Sequence, residues 1–404
     1  MALMAPISVD PHILADAASH YSSAKTISSG AITELAAELH RNWGCAGTDN
    51  AGKSWADSYD SAAFDAVTAA TDIANAFGKL HDLLAATGVN HANAENANTV
   101  PPTPPLPAPP QLPHTNTPRF NGSYGGDTDA PMGWGLITRW LQGHMWPNGD
   151  PEELRGLGSA WRTAAEELRR ASDSTNSAWT DIEKLASDEL PQVLAQMDGV
   201  YSAAHNVADQ FDTLASACGE WASTIQDAHQ SVIDIVGTAI VAGTIAGAVA
   251  GFFTLGVGTV AVTGATGSAI AGSVIAVLTG VEAASAIAVG VTVATGAAAI
   301  GIASDVQPLL QASPTTFNAN TGGGNWHYNP PPADRRLPGF PDAKQTKPLN
   351  NRPRWTDNRG NILEWDYQHG ALEKYTKNGK HLGEFDPVTG DMTKGPVPGR
   401  KPGR

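Results

Sequence analysis

The chain has 404 residues, more than one typical hydrophobic core accommodates, so two to four folded units are expected. It has only two cysteines, Cys45 and Cys218, which excludes a disulfide framework; the sequence favours free buried thiols but leaves pairing open. The net charge of -15 hides a split, because residues 335–404 carry 14 Lys and Arg against 8 Asp and Glu, a balance of +6 that leaves -21 for residues 1–334. Such asymmetry is expected where one segment meets a polyanion, or where a basic end only aids solubility.

Residues 1–98 are expected to form a helical hairpin. Apolar residues recur at helical spacing within residues 32–39 and again within residues 64–84. Between these runs lies the glycine-bearing break NWGCAG, which predicts a Trp-Gly turn. The N-terminus lacks the basic start and apolar run of a cleaved signal peptide, so export would need another route.

Proline separates this hairpin from a second helical unit. Residues 99–149 contain PPTPPLPAPPQLP, in which each proline removes an N–H donor and fixes φ, so an extended polyproline linker is expected. Residues 150–231 are expected to form long antiparallel helices. Their start, Asp150-Pro151-Glu152-Glu153, has a cap, a proline at the first position and two acids in the first turn.

Residues 232–312 form a glycine-rich hydrophobic region. No charged residue occurs in residues 235–281, and after Glu282 the chain is charge-free again over residues 283–304. A membrane-spanning helix needs about 20 apolar residues, so two or three spans would fit. We therefore expect a translocation region that contacts a membrane through residues 235–304. The alternative is a buried helical hairpin, packed through glycines, inside a soluble protein.

The last part of the chain has the pattern of a small β-domain. A second linker, rich in Pro, Gly and Asn, is expected at residues 313–353, and the domain itself at residues 354–404. Alternation in residues 361–367, 372–376 and 381–385 predicts three antiparallel strands, and Asn378-Gly379 favours a type I′ hairpin turn. The predicted fold class is multidomain: α-helical N-terminal and central regions, built of helical hairpins and glycine-rich hydrophobic helices, plus a small C-terminal twisted antiparallel β-sheet.

Four side chains in this β-domain form a candidate catalytic set: Asp366, His369, Glu373 and Arg400. Metal-independent cleavage of RNA needs a base for the ribose 2′-hydroxyl, an acid for the departing 5′-oxygen and positive charge against the phosphorane. A carboxylate, an imidazole and a guanidinium supply these three functions, and the reaction leaves a 2′,3′-cyclic phosphate. The same spacing is also common among solvated surface charges. No metal-ligand motif such as HExxH is present in the sequence.

The C-terminal residues resemble a known family. The segments RWTD, EWDYQHGALEKY and GKHLG, followed by FDP, TG and KGP, are similar to the cytotoxic domain of the rRNA-cleaving colicins and cloacin, over roughly residues 326–404. The resemblance implies a metal- and cofactor-independent endoribonuclease that cuts 16S rRNA in the ribosomal decoding centre. Its partners would be the ribosome and a cognate acidic immunity protein, which would associate fast with the basic domain.

The same resemblance implies a role for each candidate residue. Glu373 would be the general base, His369 the general acid, Asp366 the carboxylate that supports the histidine, and Arg400 the group that stabilises the phosphate. The tail PVPGRKPGR lacks the family's longer apolar end, so Arg404 or Lys401 could replace Arg400. The residues expected to contact RNA, by stacking or by binding phosphate, are Tyr367, Lys374, Lys377, Lys380 and Lys394.

The N-terminal hairpin, with NWG at its turn and SWADSYDSAAFDA after it, resembles the WXG-type substrates of type VII secretion. It departs from them in having Trp-Gly instead of Trp-x-Gly, and in lacking a Tyr-x-x-x-Asp/Glu signal. The expected protein is a secreted antibacterial toxin of an actinobacterial cell, exported by the type VII machinery and acting in the cytoplasm of the target cell. Two alternatives stay open: a non-catalytic type VII substrate or adaptor, and a ribonuclease aimed at tRNA.

Overall fold

The computed structural model describes residues 9–101, 103–187, 189–241, 264–312, 331–332, 336–349, 352–366, 370–397 and 400–402. Within them a large helical body is followed by an antiparallel six-stranded sheet, which confirms the predicted fold class. The helices are α1 (Pro11–Arg41), α2 (Asn50–Ala97), α3 (Trp134–Ile137), α4 (Pro151–Asp173), α5 (Asn176–Ile182), α6 (Leu190–Val241) and α7 (Gly264–Leu310). The strands are β1 (Lys344–Leu349), β2 (Arg352–Thr356), β3 (Ile362–Asp366), β4 (Ala371–Tyr375), β5 (His381–Phe385) and β6 (Met392–Lys394).

Helices α1 and α2 form the predicted first hairpin. An aspartate caps each of them: Asp10 accepts from a backbone N–H at the start of α1, and Asp49 accepts from two at the start of α2. Such caps satisfy N–H groups that have no partner inside the helix. Trp43, in the connection between the helices, is 59% exposed, so the Trp-Gly turn lies on the surface.

The proline-rich segment runs along α2, whose polar side chains hold its backbone. Asp82 accepts a hydrogen bond from the N–H of Leu112 at 2.9 Å, and Asn75 accepts one from the N–H of Thr115 at 2.8 Å. A polyproline chain forms no hydrogen bonds within itself, so α2 supplies partners for its few N–H groups. The segment expected as a linker is thus attached to the first hairpin.

Helices α4 to α6 form the second helical unit. As predicted, α4 begins with Asp150 as the cap and Pro151 as its first residue. Helix α6 continues unbroken to Val241, so the expected boundary at residue 231 falls inside a helix. No proline occurs between residues 192 and 241 to end it earlier.

Buried aromatic residues join the two helical units. Trp161 of α4 donates its indole N–H to the hydroxyl of Tyr59 on α2 at 2.7 Å, and both residues are buried. Trp221 of α6 donates in the same way to the backbone carbonyl of Ala46 at 3.0 Å. Indole donors of this kind need a partner when they are removed from water. These bonds fix how α4 and α6 pack against the first hairpin.

The two cysteines lie in this same core and are free. Burial raises the pKa of the Cys218 thiol to about 12, and burial likewise raises the pKa of Cys45. Both side chains are therefore protonated near neutral pH and behave as small apolar residues. The favoured prediction of free buried thiols is confirmed.

Helix α7 buries one face and exposes the other. The buried positions recur alternately three and four residues apart, the spacing of coiled-coil packing; they are Ala271, Val274, Leu278, Val281, Ser285, Ala288, Thr292, Thr295, Ala299, Ile302, Val306 and Leu309. The hydroxyls on this face bond to α2: Ser285 donates to the Ala51 carbonyl and Thr292 to the Ser58 hydroxyl. The outer face carries exposed apolar side chains, such as Ile287 at 73%. Residues 242–263 of the predicted hydrophobic region lie outside the described residues.

The sheet has more strands than the sequence predicts. Its six strands lie in sequence order, each antiparallel to the next. The prediction that residues 344–349 belong to a linker is wrong, because they form the edge strand β1. An edge strand can be polar on both faces and can contain proline, since one row of its backbone groups has no partner strand. It therefore lacks the alternation by which inner strands are predicted.

The turn between β4 and β5 also differs from its prediction. The N–H of Gly379 bonds to the carbonyl of Thr376, and Gly379 has a φ of +79°. Asn378 is described and is not among the residues with positive φ, whereas a type I′ turn needs positive φ at both central positions. The turn is thus an ordinary turn followed by a left-handed glycine, and the type I′ prediction is wrong.

Replacing Tyr59 by Phe tests the contact between the helical units. The variant leaves the buried indole N–H of Trp161 without an acceptor, so the free energy of unfolding should fall by about 1–3 kcal/mol. Urea denaturation followed by far-ultraviolet circular dichroism measures this change. Trp43→Phe, at the exposed turn, is the control and should stay within about 0.5 kcal/mol. Equal stability of Tyr59→Phe and the unsubstituted chain would contradict the proposed packing.

Candidate active site

The two faces of the sheet have opposite chemistry. One face packs a small hydrophobic core around Trp355, Leu363, Trp365 and Leu372. Because side chains alternate along a strand, the residues between these positions project to the other face. Glu364 and Asp366 of β3 and Glu373 of β4 therefore lie together, with their side chains buried.

A row of charged residues crosses this second face. The backbone register pairs Arg354 with Glu364, Glu364 with Glu373, Glu373 with Glu384, and Glu384 with Lys394. Three carboxylates on the inner strands are thus flanked by one cation at each end. Like charges directly opposite one another destabilise a sheet, so each carboxylate needs a cation of its own.

The two outer carboxylates, Glu364 and Glu384, each have a cation within the row. Arg354 binds Glu364 through two nitrogens, with Nε 2.9 Å from the carboxylate oxygen. Lys394 Nζ lies 3.0 Å from one oxygen of Glu384, and Thr393 donates its hydroxyl to the other at 2.8 Å.

The central carboxylate, Glu373, receives its cation from beyond the sheet. Arg400 lies 2.8 Å from Glu373 Oε1, as an ion pair without hydrogen-bond alignment. The other oxygen of Glu373 lies 2.5 Å from His381 Nε2. Glu373 is only 1% exposed, so these two groups replace the water that a carboxylate would otherwise bind.

His381 is a member of this site that the catalytic prediction did not include. Its Nδ1 accepts the backbone N–H of Val397 at 2.8 Å, so the ring proton sits on Nε2 and is donated to Glu373. His381 and Glu384 are three residues apart, and simple alternation would place them on opposite faces. A bulge brings them to the same face: the pairing shifts between Lys374 and Tyr375, next to Gly383, whose φ is +129°.

Asp366 completes the cluster of carboxylates. Oxygen atoms of Asp366, Glu373 and Glu384 all lie within 4.8 Å of one another, a geometry that could hold a metal ion. Arg400, His381, Lys394 and Thr393 already contact the oxygens of the two glutamates. A cation would have to displace them. Of the predicted catalytic set, the structure brings together Asp366, Glu373 and Arg400, whereas His369 lies outside the described residues, as does Tyr367.

The lysines expected to contact RNA are divided between the two faces. Lys374 points to the core face, where its Nζ lies 3.1 Å from Asp357 and 4.9 Å from the ring centre of Phe340. Burial raises the pKa of Asp357, but hydrogen bonds from Asn361 and Lys374 lower it by a larger amount. The pKa of Asp357 is therefore below its usual value. Lys377 and Lys380 are exposed in the β4–β5 turn, and Lys394 belongs to the charged row.

Comparison with known proteins agrees with this division into a helical body and a terminal sheet. Residues 329–402 match the family described as Cytotoxic, and residues 129–279 match the WXG100-like domain. Both resemblances seen in the sequence are thus confirmed. The WXG100-like match covers the second helical unit, however, and not the hairpin that carries Trp43-Gly44.

Three relatives are each similar to part of this chain. Colicin E3 of Escherichia coli is 44% identical over 82 residues, 18% of this chain and 15% of its own length. The outer membrane channel protein CpnT of Mycobacterium tuberculosis is 30% identical over 244 residues, 58% of this chain and 28% of its own. A putative NAD(+)--arginine ADP-ribosyltransferase, Mav, of Mycobacterium avium is 28% identical over 190 residues, 47% of this chain and 23% of its own. The chain therefore spans less than a third of the length of each of these relatives.

The pair at one end of the charged row can be tested by a double substitution. Arg354→Met leaves Glu364 buried without its guanidinium and should destabilise the sheet by about 3–5 kcal/mol, whereas Arg354→Met with Glu364→Met should regain most of that stability. Hydrogen-exchange protection of the β3 and β4 amides reports on the sheet alone. Arg359→Met, in an exposed turn, is the control. A double variant as unstable as the single one would contradict a role for the buried charge.

Proposed function

We propose that this chain is a secreted antibacterial toxin whose C-terminal domain is a metal-independent endoribonuclease that cleaves 16S rRNA at the ribosomal decoding site. The observation that carries the proposal is the buried Glu373, held between Arg400 and His381 on a sheet whose sequence is similar to that of colicin E3. A carboxylate fixed beside a guanidinium, in a site shielded from water, suits proton transfer next to a phosphate.

The proposed reaction begins at the ribose. Glu373 accepts the proton of the 2′-hydroxyl, and the 2′-oxygen forms a bond to the adjacent phosphorus. Arg400 then binds the phosphate oxygens, whose negative charge grows in the phosphorane. The side chain of Arg400 is partly exposed, so it can reach substrate while it contacts Glu373. His381, with its proton on Nε2, keeps the Glu373 carboxylate oriented.

The second half of the reaction releases the 5′-oxygen. His369, supported by Asp366, donates a proton to this oxygen as its bond to phosphorus breaks. The products are a 2′,3′-cyclic phosphate and a 5′-hydroxyl, and no water or metal enters the balance. Since the nucleophile is the 2′-hydroxyl of the substrate itself, DNA cannot react.

Charge supports both proposed partners of this domain. The segment of residues 335–404 carries a balance of +6, and Lys377 and Lys380 are exposed beside the β4–β5 turn. Such a surface attracts the phosphates of the ribosome. It would equally attract an acidic immunity protein that protects the producing cell.

The helical body is proposed to deliver the ribonuclease. A WXG100-like domain within it supports export by the type VII machinery, after which the domain acts in the cytoplasm of the target cell. CpnT and Mav align over stretches of 244 and 190 residues, much longer than the Cytotoxic match, so most of each alignment lies in the helical body. CpnT and Mav have different names, yet both are similar to this helical body. This supports a delivery role that is independent of the terminal enzyme.

Contact with a membrane is proposed as one step of delivery, made through α7. Among the described residues, one helix, residues 268–310, is long and apolar enough to cross a membrane. Residues 283–304 of this helix contain no charge and would measure about 33 Å, close to the hydrocarbon thickness of a bilayer. The hydroxyls of Ser285 and Thr292 face α2, while Ile287 and Ile300 face outward. A helix with its polar groups inside and apolar groups outside is suited to lipid.

Incubation of the full chain with ribosomes tests the proposed activity. A single cut near the decoding site of 16S rRNA is expected, with a 2′,3′-cyclic phosphate at the new end. Glu373→Gln and His369→Ala should each lower the rate by about 10²–10⁴-fold, and Arg400→Ala by about 10²–10³-fold. Primer extension locates the cut and its rate.

Asp391→Asn, an exposed carboxylate in the turn before β6, is the control and should cleave at the normal rate. Intact ribosomal RNA combined with cut tRNA would favour the alternative of a tRNA nuclease. If both RNAs remained intact, the alternative of a non-catalytic type VII substrate or adaptor would stand.

Flotation of the full chain with phospholipid vesicles tests the membrane step. The chain is expected to float with the vesicles. Ile287→Asp together with Ile300→Asp should lower the bound fraction more than tenfold, because each charge in the hydrocarbon costs about 2.5–3.5 kcal/mol. Ile233→Asp, an equally drastic change at an exposed position of α6 beside Asp234, is the matched control and should still float. Failure of the unsubstituted chain to float would remove this step.

A further inference from the structure

Glu384 lies directly opposite Glu373 in the sheet and is buried beside it. It was not among the residues that the sequence suggested for catalysis. Its carboxylate oxygens are held on the far side by Thr393 Oγ1 at 2.8 Å and by Lys394 Nζ at 3.0 Å. On the near side an oxygen of Glu384 lies within 4.8 Å of an oxygen of Glu373. The side chain is therefore fixed in place, with its charge facing the proposed general base.

The charges around Glu373 come from four directions. Strand β3 contributes Glu364 and Asp366; strand β5 contributes His381 and Glu384; the C-terminal segment contributes Arg400; and β6 contributes Lys394, behind Glu384. The carboxylates are buried, whereas the side chain of Lys394 is 57% exposed. Water screens an exposed charge more than a buried one. Glu373 is thus affected by the neighbouring carboxylate more strongly than by the lysine behind it.

Substrate binding would increase the effect of Glu384 on Glu373. In the proposed reaction Arg400 turns part of its charge to the RNA phosphate, so Glu373 loses part of its counter-charge at the moment when it must accept a proton. Glu384 keeps its position, because Thr393 and Lys394 hold its carboxylate through contacts that do not involve Glu373 or Arg400. A fixed negative charge near Glu373 favours the arrival of a proton there.

We propose that Glu384 is a positioning residue for the ribonuclease reaction, and that its buried charge makes Glu373 the stronger base. This inference rests on the proposed function, since it assigns a second carboxylate to the same reaction. Glu384 touches neither the ribose nor the phosphate. It acts through Glu373, and its pairing with Lys394 sets the distance at which it acts.

Glu384→Gln in the full chain tests the proposal through the pH dependence of ribosomal RNA cleavage. With the negative charge removed, protonation of Glu373 becomes less favourable, so the acid limb of the kcat profile should move down by about one pH unit. The plateau of kcat should fall by about three- to tenfold because the base is weaker, with KM within about twofold. Glu384→Asp keeps the negative charge on a shorter side chain, so its acid limb should lie close to that of the unsubstituted chain.

Two further variants separate charge from structure. Thr393→Val removes a hydrogen bond to Glu384 but no charge, so the acid limb should stay in place. Lys394→Met leaves Glu384 charged without its cation, so the limb should move to higher pH, opposite to Glu384→Gln. The Lys394 variant keeps the test available if Glu384→Gln does not fold.

The outcomes distinguish this inference from the activity on which it rests. An unsubstituted chain that cuts no RNA overturns the proposed function and the inference with it. A chain that cuts normally while Glu384→Gln and Lys394→Met leave the acid limb unmoved overturns the inference alone, even if kcat falls. Shifts of the acid limb in the same direction for Glu384→Gln and Lys394→Met would also overturn it. The two substitutions change the charge in opposite senses, so a common direction would indicate a structural defect instead of an effect of charge.

Discussion

The terminal domain depends on one constraint: a carboxylate in the middle of a sheet needs polar partners from the protein, because it is almost completely removed from water. Glu373 meets it through Arg400, which comes from the end of the chain, and His381, which reaches it through a bulge in β5. The proposed base, the phosphate-binding cation and the orienting imidazole are therefore a single ionic group. Losing one member leaves a buried charge incompletely compensated, a loss that is costly for stability as well as for catalysis.

The division of the sheet into two faces follows from this constraint. The hydrophobic face, centred on Trp355 and Leu363, supplies the burial that holds six short strands together, so the other face is free to carry charge. The charges are arranged so that the outer carboxylates are matched within the row, by Arg354 and Lys394. The central one, Glu373, is paired with Arg400, which lies outside the sheet. The carboxylate that is proposed to react thus receives a cation from outside the row.

The sequence predicted three strands and several catalytic candidates of the terminal domain, but not the edge strand β1 or the presence of His381 and Glu384 at the site. Alternation located β3, β4 and β5, and the resemblance to the colicins selected Asp366, Glu373 and Arg400, which the structure brings near one another. Strand β1 could not be predicted, because an edge strand has no buried face to impose alternation. His381 and Glu384 could not be predicted as neighbours for another reason. The bulge beside Gly383 changes which residues of β5 share a face, and no local sequence pattern indicates that shift. Helix α7 was predicted as apolar, but which side it exposes depends on the hydroxyl contacts with α2.

The same physical rule, applied in opposite directions, explains the two parts of the molecule. In the sheet, buried carboxylates are matched with cations, and the exposed lysines around them are proposed to meet a polyanion. In α7, the hydroxyls of Ser285 and Thr292 are turned inward and satisfied by Ala51 and Ser58 of α2, and apolar side chains such as Ile287 face outward. The buried polar groups named here, in the sheet and in α7, thus have partners within the protein and do not depend on water. A chain that is proposed to be exported, to contact a membrane and then to bind RNA would meet several surroundings in turn, and buried polar groups that already have protein partners suit such changes.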